Sequence, residues 1–218
     1  MRMTVSSEVE VVTARLDVAA SRLAALAARL SEAERSRAQR FRFERDRRRF
    51  IVARARLREL LAARLGAAPE AIEFVYGSRG KPALGRRFAA SGWRFNLSRR
   101  EELAVYALSR AGEVGIDVEA VHPVCDAETI VAGFFSEQER EAYLALAPQE
   151  RALGFFRCWT RKEALVKALG EGLSLPLEAL DTVRAERCGW RLRSFSPQPG
   201  FVAALATADT GNHAPQRL

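Results

Sequence analysis

The sequence predicts an α+β fold made of two similar halves related by an approximate twofold, with a functional cleft between them. Three observations lead there. Predicted elements run strand, helices, strands, and then repeat that order. A division near Ala111 makes units of similar size, 1–110 and 111–218, within a 218-residue chain. No low-complexity linker separates them, so the halves are expected to pack closely.

Residues 9–17 (VEVVTARLD) read as a strand. Residues 19–30 are rich in alanine and leucine and read as a helix. Ser31 followed by Glu34 is a capping box that opens the next helix, SEAERSRAQR. Residues 44–65 form a longer helix, with Phe50, Ala53, Leu57, Leu60 and Leu61 at helical spacing and an arginine-rich face expected outward. Gly66 and Pro69 end it. Residues 72–76 read as a strand and GSRGKPAL as a turn-rich loop. Residues 94–98, 103–109 and 114–121 read as an antiparallel meander joined by RREE and RAGE turns. Helices follow over 126–135, then from the Ser136–Glu139 capping box, then from Pro148 to about Gly170. Strands near 180–186, 189–195 and 201–207 close the pattern, and the polar tail from about 209 is expected to fray.

The apolar fraction of 48% suits a chain with a real core. No apolar run reaches 18 residues and the N-terminus has no apolar h-region, so neither a membrane span nor a signal peptide is expected. Cys125, Cys158 and Cys188 are odd in number and lack CxxC spacing, which points to a reducing cytoplasm and to small apolar fillers rather than disulfides or a thiolate metal site. A net charge of +8 and a pI near 10.2 favour polyanionic partners. Nearly all basic residues are arginine. The three lysines, Lys81, Lys162 and Lys167, mark candidate sites for a compact ammonium.

The strand EVGIDVEAV sends Val114, Ile116 and Val118 to one face. Asp117 and Glu119 point from the other, roughly 7 Å apart, with Gly115 leaving space beside them. Such a pair needs a cation or a proton between its members, unless the face is simply polar and solvated. All-oxygen ligands suit Mg²⁺, and two histidines with scattered cysteines make zinc a poor fit. The helix FFRCWTRKEALVKALGEGL carries Lys162 and Glu163 inside its apolar stripe. Glu163 lies about 40° from Trp159 on the wheel, and Lys167 follows at i+4. A carboxylate there is expected to share a metal with Asp117 and Glu119, with the ion gripping a diphosphate. GKP (80–82) and FNLSRR (95–100) add a lysine, a hydroxyl and two guanidinium groups suited to phosphate.

In this order and spacing, GKP, FNLS, GIDVE and WTRKEALVK resemble the 4′-phosphopantetheinyl transferase superfamily, in its long monomeric, surfactin-synthetase-activating branch. The resemblance implies two α+β halves with the active site between them. It implies transfer of the phosphopantetheine arm of coenzyme A to a serine of an acidic acyl or peptidyl carrier protein, with release of adenosine 3′,5′-bisphosphate. It implies Mg²⁺ on Asp117, Glu119 and Glu163, with Glu163 also the general base. Lys167 matches the lysine that contacts the pyrophosphate, and Lys81 and Ser98 match phosphate contacts. Arg37 and Arg49 fall where the family places cations for the 3′-phosphate, and Lys167, joined by Lys162, is expected to offset charge on the bridging oxygen.

The chain departs from the family pattern FNxSHS. Arg99 stands where a phosphate-binding histidine is expected, so coenzyme binding should survive but lose its dependence on histidine protonation. Two other readings compete. A Mg²⁺-dependent nuclease would want its lysine two residues from a metal carboxylate on a strand. A nucleic-acid-binding protein would use the basic helices between Arg35 and Arg58, which explains the charge and not the carboxylates, so no nucleic acid is expected.

Overall fold

The computed structural model describes residues 2–6, 8–170, 175–183, 186–187 and 189–208. Two four-stranded antiparallel sheets carry the fold. The first has the order β1 (Arg2–Ser6), β2 (Val9–Arg15), β6 (Leu103–Ser109), β5 (Arg94–Arg100). The second has the order β7 (Val114–Ala120), β10 (Phe201–Ala208), β9 (Trp190–Phe195), β8 (Glu186–Arg187). β3 (Phe74–Tyr76) and β4 (Pro82–Leu84) form a small separate hairpin.

Strand alternation explains how the layers stack. Val9, Val11, Val105 and Ala107 of the first sheet pack on Val114, Ile116, Val118, Ala203 and Leu205 of the second. The opposite face of the first sheet, with Phe95, Ala104, Tyr106 and Leu108, packs on α1 (Ala20–Ala28), α2 (Glu32–Gln39) and α3 (Glu44–Leu65). The opposite face of the second, with Leu192, Ala204 and Ala206, packs on α6 (Arg151–Leu169) through Ala164, Leu165 and Ala168. α4 (Ala127–Phe134) and α5 (Glu137–Leu144) complete an aromatic cluster with Phe155 and Phe156 of α6.

Several sequence expectations are corrected. The meander does not form: β5 and β6 pair, but β7 leaves for the second sheet and pairs with β10. β5 and β7 still lie side by side as the end strands of their sheets, joined where the Ile116 amide donates to Asn96 Oδ1 at 2.9 Å. The arginine face of α3 is not wholly outward. Arg58 is 1% exposed, donating through Nε to Glu34 at 2.7 Å and through Nη1 to the carbonyls of Pro69 and Ile72. Arg54 is 8% exposed beside the same carboxylate. Glu34, held in the Ser31 capping box, is thus the buried counter-charge that lets both guanidinium groups turn inward. Last, 181–183 is not strand, β8 is confined to Glu186–Arg187, and β1 and β4 are strands where none was expected. Cys125 is exposed rather than packed, and Cys188 and the tail from 209 lie outside the described residues.

Candidate active site

The site is made by the approach of α6 to β7. A Cβ on Gly115 would lie 2.0 Å from the Ala164 carbonyl oxygen and 2.4 Å from the Ala168 nitrogen. The space that glycine leaves is therefore filled by the helix backbone, not left open. This contact sets Glu163 and Lys167 against the polar face of β7.

Asp117 is 3% exposed. Its Oδ1 accepts hydrogen bonds from Ser98 Oγ at 2.8 Å and from Lys167 Nζ at 2.6 Å, and Lys167 also reaches Ser98 Oγ at 3.2 Å. Its Oδ2 is buried without a partner. Glu119, two residues on, ion-pairs with Arg100 at 3.1 Å. Burial, then the charge of Asp117, raises the Glu119 carboxyl above the usual carboxylate range, against the pull of Arg100 and Lys167. Burial likewise raises the Glu163 carboxyl, with Lys167 opposing and Asp117 adding. The three carboxylates thus share one field. A cavity of about 290 Å³ opens beside them, lined by Gly80, Lys81, Asn96, Glu163, Lys167 and Gly170. Lys81 reaches from the β3–β4 hairpin to the end of α6, donating to the Ala168 carbonyl at 2.8 Å and to Glu113 at 2.6 Å.

Among the described residues, no three His, Cys, Asp or Glu side chains stand as a group that could hold a metal ion. Chain cations neutralise the strand carboxylates instead, Lys167 at Asp117 and Arg100 at Glu119. The donor chemistry still suits a hard divalent ion. All candidate ligands are carboxylate oxygens, and Asp117 Oδ2 is a buried acceptor with nothing to accept from.

Arg99 points away from this centre, because residues 95, 97 and 99 of β5 face α3 while 96, 98 and 100 face β7. Its guanidinium lies over the rings of Phe41 and Phe50 at 5.7 and 5.9 Å, and that of Arg37 lies over Phe50 at 5.5 Å. Arg99, Arg37 and Arg54 therefore gather around Phe50, the last at 6.0 Å from its centroid. Burial is the main cause that lowers the Arg99 pKa, with Asp46 opposing and Arg37 and Arg54 adding. Arg49 is held by Asp17 at 3.2 Å instead.

Lys162 is corrected from a coenzyme contact to an interior residue. It is fully buried, its ammonium 2.7 Å from Glu139 and donating to the carbonyls of Leu177 and Leu180. Glu139 meanwhile accepts from the Thr182 amide and hydroxyl and caps α5. Breaking this ion pair strands a buried charge, so Lys162→Met should cost about 3 kcal/mol of stability. Thermal unfolding measures it, as a Tm lower by roughly 6–12 °C.

Sequence reasoning missed Arg54 and Glu113. It read Arg100 as a phosphate contact, whereas the structure pairs it with Glu119, on the strand face it shares with Ser98. Glu113, which holds both Lys81 and Arg94, had no local signal.

Residues 113–213 match the family model described as the 4′-phosphopantetheinyl transferase superfamily, and residues 18–111 match the one described as 4′-phosphopantetheinyl transferase, N-terminal. The 4′-phosphopantetheinyl transferase HetI of Nostoc sp. is 39% identical over 214 residues, covering 95% of this chain and 90% of that protein. The 4′-phosphopantetheinyl transferase psf-1 of Bacillus pumilus is 31% identical over 80% of this chain and 77% of its own length. The 4′-phosphopantetheinyl transferase AcpT of Escherichia coli K12 is 37% identical over 57% of this chain and 58% of its own length. With one relative this similar from end to end, and family models covering both halves, the chain belongs to the 4′-phosphopantetheinyl transferase superfamily.

Proposed function

We propose that this enzyme transfers the 4′-phosphopantetheine arm of coenzyme A to a serine of an acyl or peptidyl carrier protein, releasing adenosine 3′,5′-bisphosphate, with Mg²⁺ as the required ion. The observation that carries this is the seating of Glu163 and Lys167 of α6 against Asp117 and Ser98 beside a cavity that Lys81 also lines. Two halves in one chain support the long, monomeric branch of the family. A net charge of +8 suits an acidic carrier protein in the cytoplasm. No helix among the described residues is long and apolar enough to cross a membrane.

Asp117, Glu119 and Glu163 are the residues that would hold Mg²⁺. The ion, when bound, supplies charge neutralisation to the diphosphate. Lys167 offsets charge developing on the oxygen that bridges to the leaving group. Lys81 and Ser98 position the phosphates. Glu163 accepts the proton of the attacking serine, and burial, which keeps its carboxyl basic, suits that role. Arg37 and Arg99, stacked on Phe41 and Phe50, bind the remaining coenzyme phosphate, with Arg49 a more remote contributor.

Mass spectrometry of an apo carrier protein incubated with the enzyme and coenzyme A tests this. One added phosphopantetheine is expected with Mg²⁺ and none with a chelator. No added mass under either condition overturns the transfer, and full modification in chelator overturns the metal. A second expectation concerns Arg99. The native KM for coenzyme A should stay flat from about pH 6 to 9, while that of Arg99→His should rise as pH passes about 6.5. The reverse pattern would remove Arg99 from the coenzyme site.

A further inference from the structure

Arg100 has no part in the reaction as derived, yet it faces the proposed metal site. Alternation along β5 turns Ser98 and Arg100 to the same side, toward Asp117 and Glu119. Register does the rest. Ser98 Oγ bonds Asp117, and two residues further along each strand Arg100 Nε sits 3.1 Å from Glu119 Oε2. The two side chains are 43% and 19% exposed, so the guanidinium closes the solvent side of a mostly buried carboxylate.

The two strand carboxylates are neutralised by different kinds of partner. Lys167 lies on Asp117 Oδ1 and leaves Oδ2 free of any partner, so Asp117 can still offer an oxygen to an ion. Arg100 Nε stands 3.1 Å from Glu119 Oε2 as an ion pair, and that oxygen, like Asp117 Oδ2, is buried without a hydrogen bond. A dication approaching Glu119 meets the positive charge of the guanidinium at close range. Either the guanidinium swings away or the ion binds this carboxylate against its repulsion.

We propose that Arg100 is an internal competitor for the divalent ion at Glu119, so that this arginine lowers the affinity of the site for metal. The proposal rests on the divalent-ion reading above and adds a residue that regulates it. An ion pair of this exposure shifts an equilibrium by a factor of about two to five. Repulsion between guanidinium and dication acts in the same direction, so removal of Arg100 should tighten metal binding about fivefold.

The test titrates Mn²⁺ into the full chain and follows the paramagnetic resonance signal of free Mn²⁺, with no substrate present. Arg100→Ser should bind Mn²⁺ about fivefold more tightly than the native protein. In a Glu119→Gln background the same substitution should gain less than twofold, because the negative charge that both the guanidinium and the ion seek is gone. Circular dichroism of each variant checks that the fold is kept, and Arg100→Gln repeats the measurement with a longer side chain. Equal or weaker binding by both Arg100 variants overturns the competition. So does a gain of the same size in the Glu119→Gln background, which would mark a general charge effect. If neither the native protein nor any variant binds Mn²⁺, the divalent-ion reading itself fails. Binding that is present but indifferent to Arg100 sinks only the competition.

Discussion

Replacing Glu163 with glutamine should lower the turnover of carrier-protein modification by about 10²–10⁴-fold while leaving the fold intact. On the proposed mechanism the loss comes from removing a proton acceptor, together with one of the three negative charges that would hold the ion. Glutamine keeps the shape, so the contact of α6 with Gly115 is undisturbed. Stability should not fall. Burial raises the Glu163 carboxyl above its value in the unfolded chain, so the folded state binds its proton more tightly. Such a group costs stability as pH rises from the unfolded carboxylate pKa through the raised folded one. Above the raised folded pKa the cost is present in full, and glutamine removes it. The prediction is a collapse of kcat with Tm equal to or slightly above the native value. Initial rates of mass gain by the carrier protein, paired with thermal unfolding, measure both. Activity within tenfold of native would remove Glu163 from the chemistry.

Gly115→Ala should be the most damaging substitution for the scaffold. Its methyl would enter at 2.0 Å from the Ala164 carbonyl oxygen and 2.4 Å from the Ala168 amide, both backbone atoms. No rotamer relieves that clash, so β7 and α6 must part. The expected cost is about 3–5 kcal/mol, at the upper end of what single substitutions do. Urea unfolding should show a lower midpoint, and Tm should fall by roughly 10 °C. Activity should fall too, since a shift of about 1 Å in α6 relative to Asp117 can cost 10²-fold. Gly133→Ala, in α4 with nothing within 4 Å of the added carbon, is the matched control and should be neutral or mildly stabilising. A Tm for Gly115→Ala within 2 °C of that control would show that the helix yields where the geometry says it cannot.

What the sequence made legible was local. Both capping boxes formed where serine and glutamate stood three apart, and α3 begins and ends at the expected residues because Gly66 adopts the left-handed conformation at its close. The polar face of β7 followed from a period of two, and the motif order led to the family. Pairing partners were not legible. β7 bonds to β10 some eighty residues later, and nothing in the RAGE turn distinguishes that from a hairpin. Lys162 and Glu163 are neighbours about 100° apart on the same helix. Only the packing of 175–183 reveals that the lysine faces the interior. Arg54 and Arg58 read as surface residues until Glu34 is seen to turn inward with them.

The adjacency of β5 and β7 has a consequence for the isolated halves. Each is the last strand of its sheet, and each lies along the other, with Asn96 meeting an Ile116 amide that has lost its own neighbour. Two rows of backbone groups that would template intermolecular stacking are thereby kept from other chains. Expressed alone, either half would uncover such a row, and precipitation rather than independent folding is the outcome to expect.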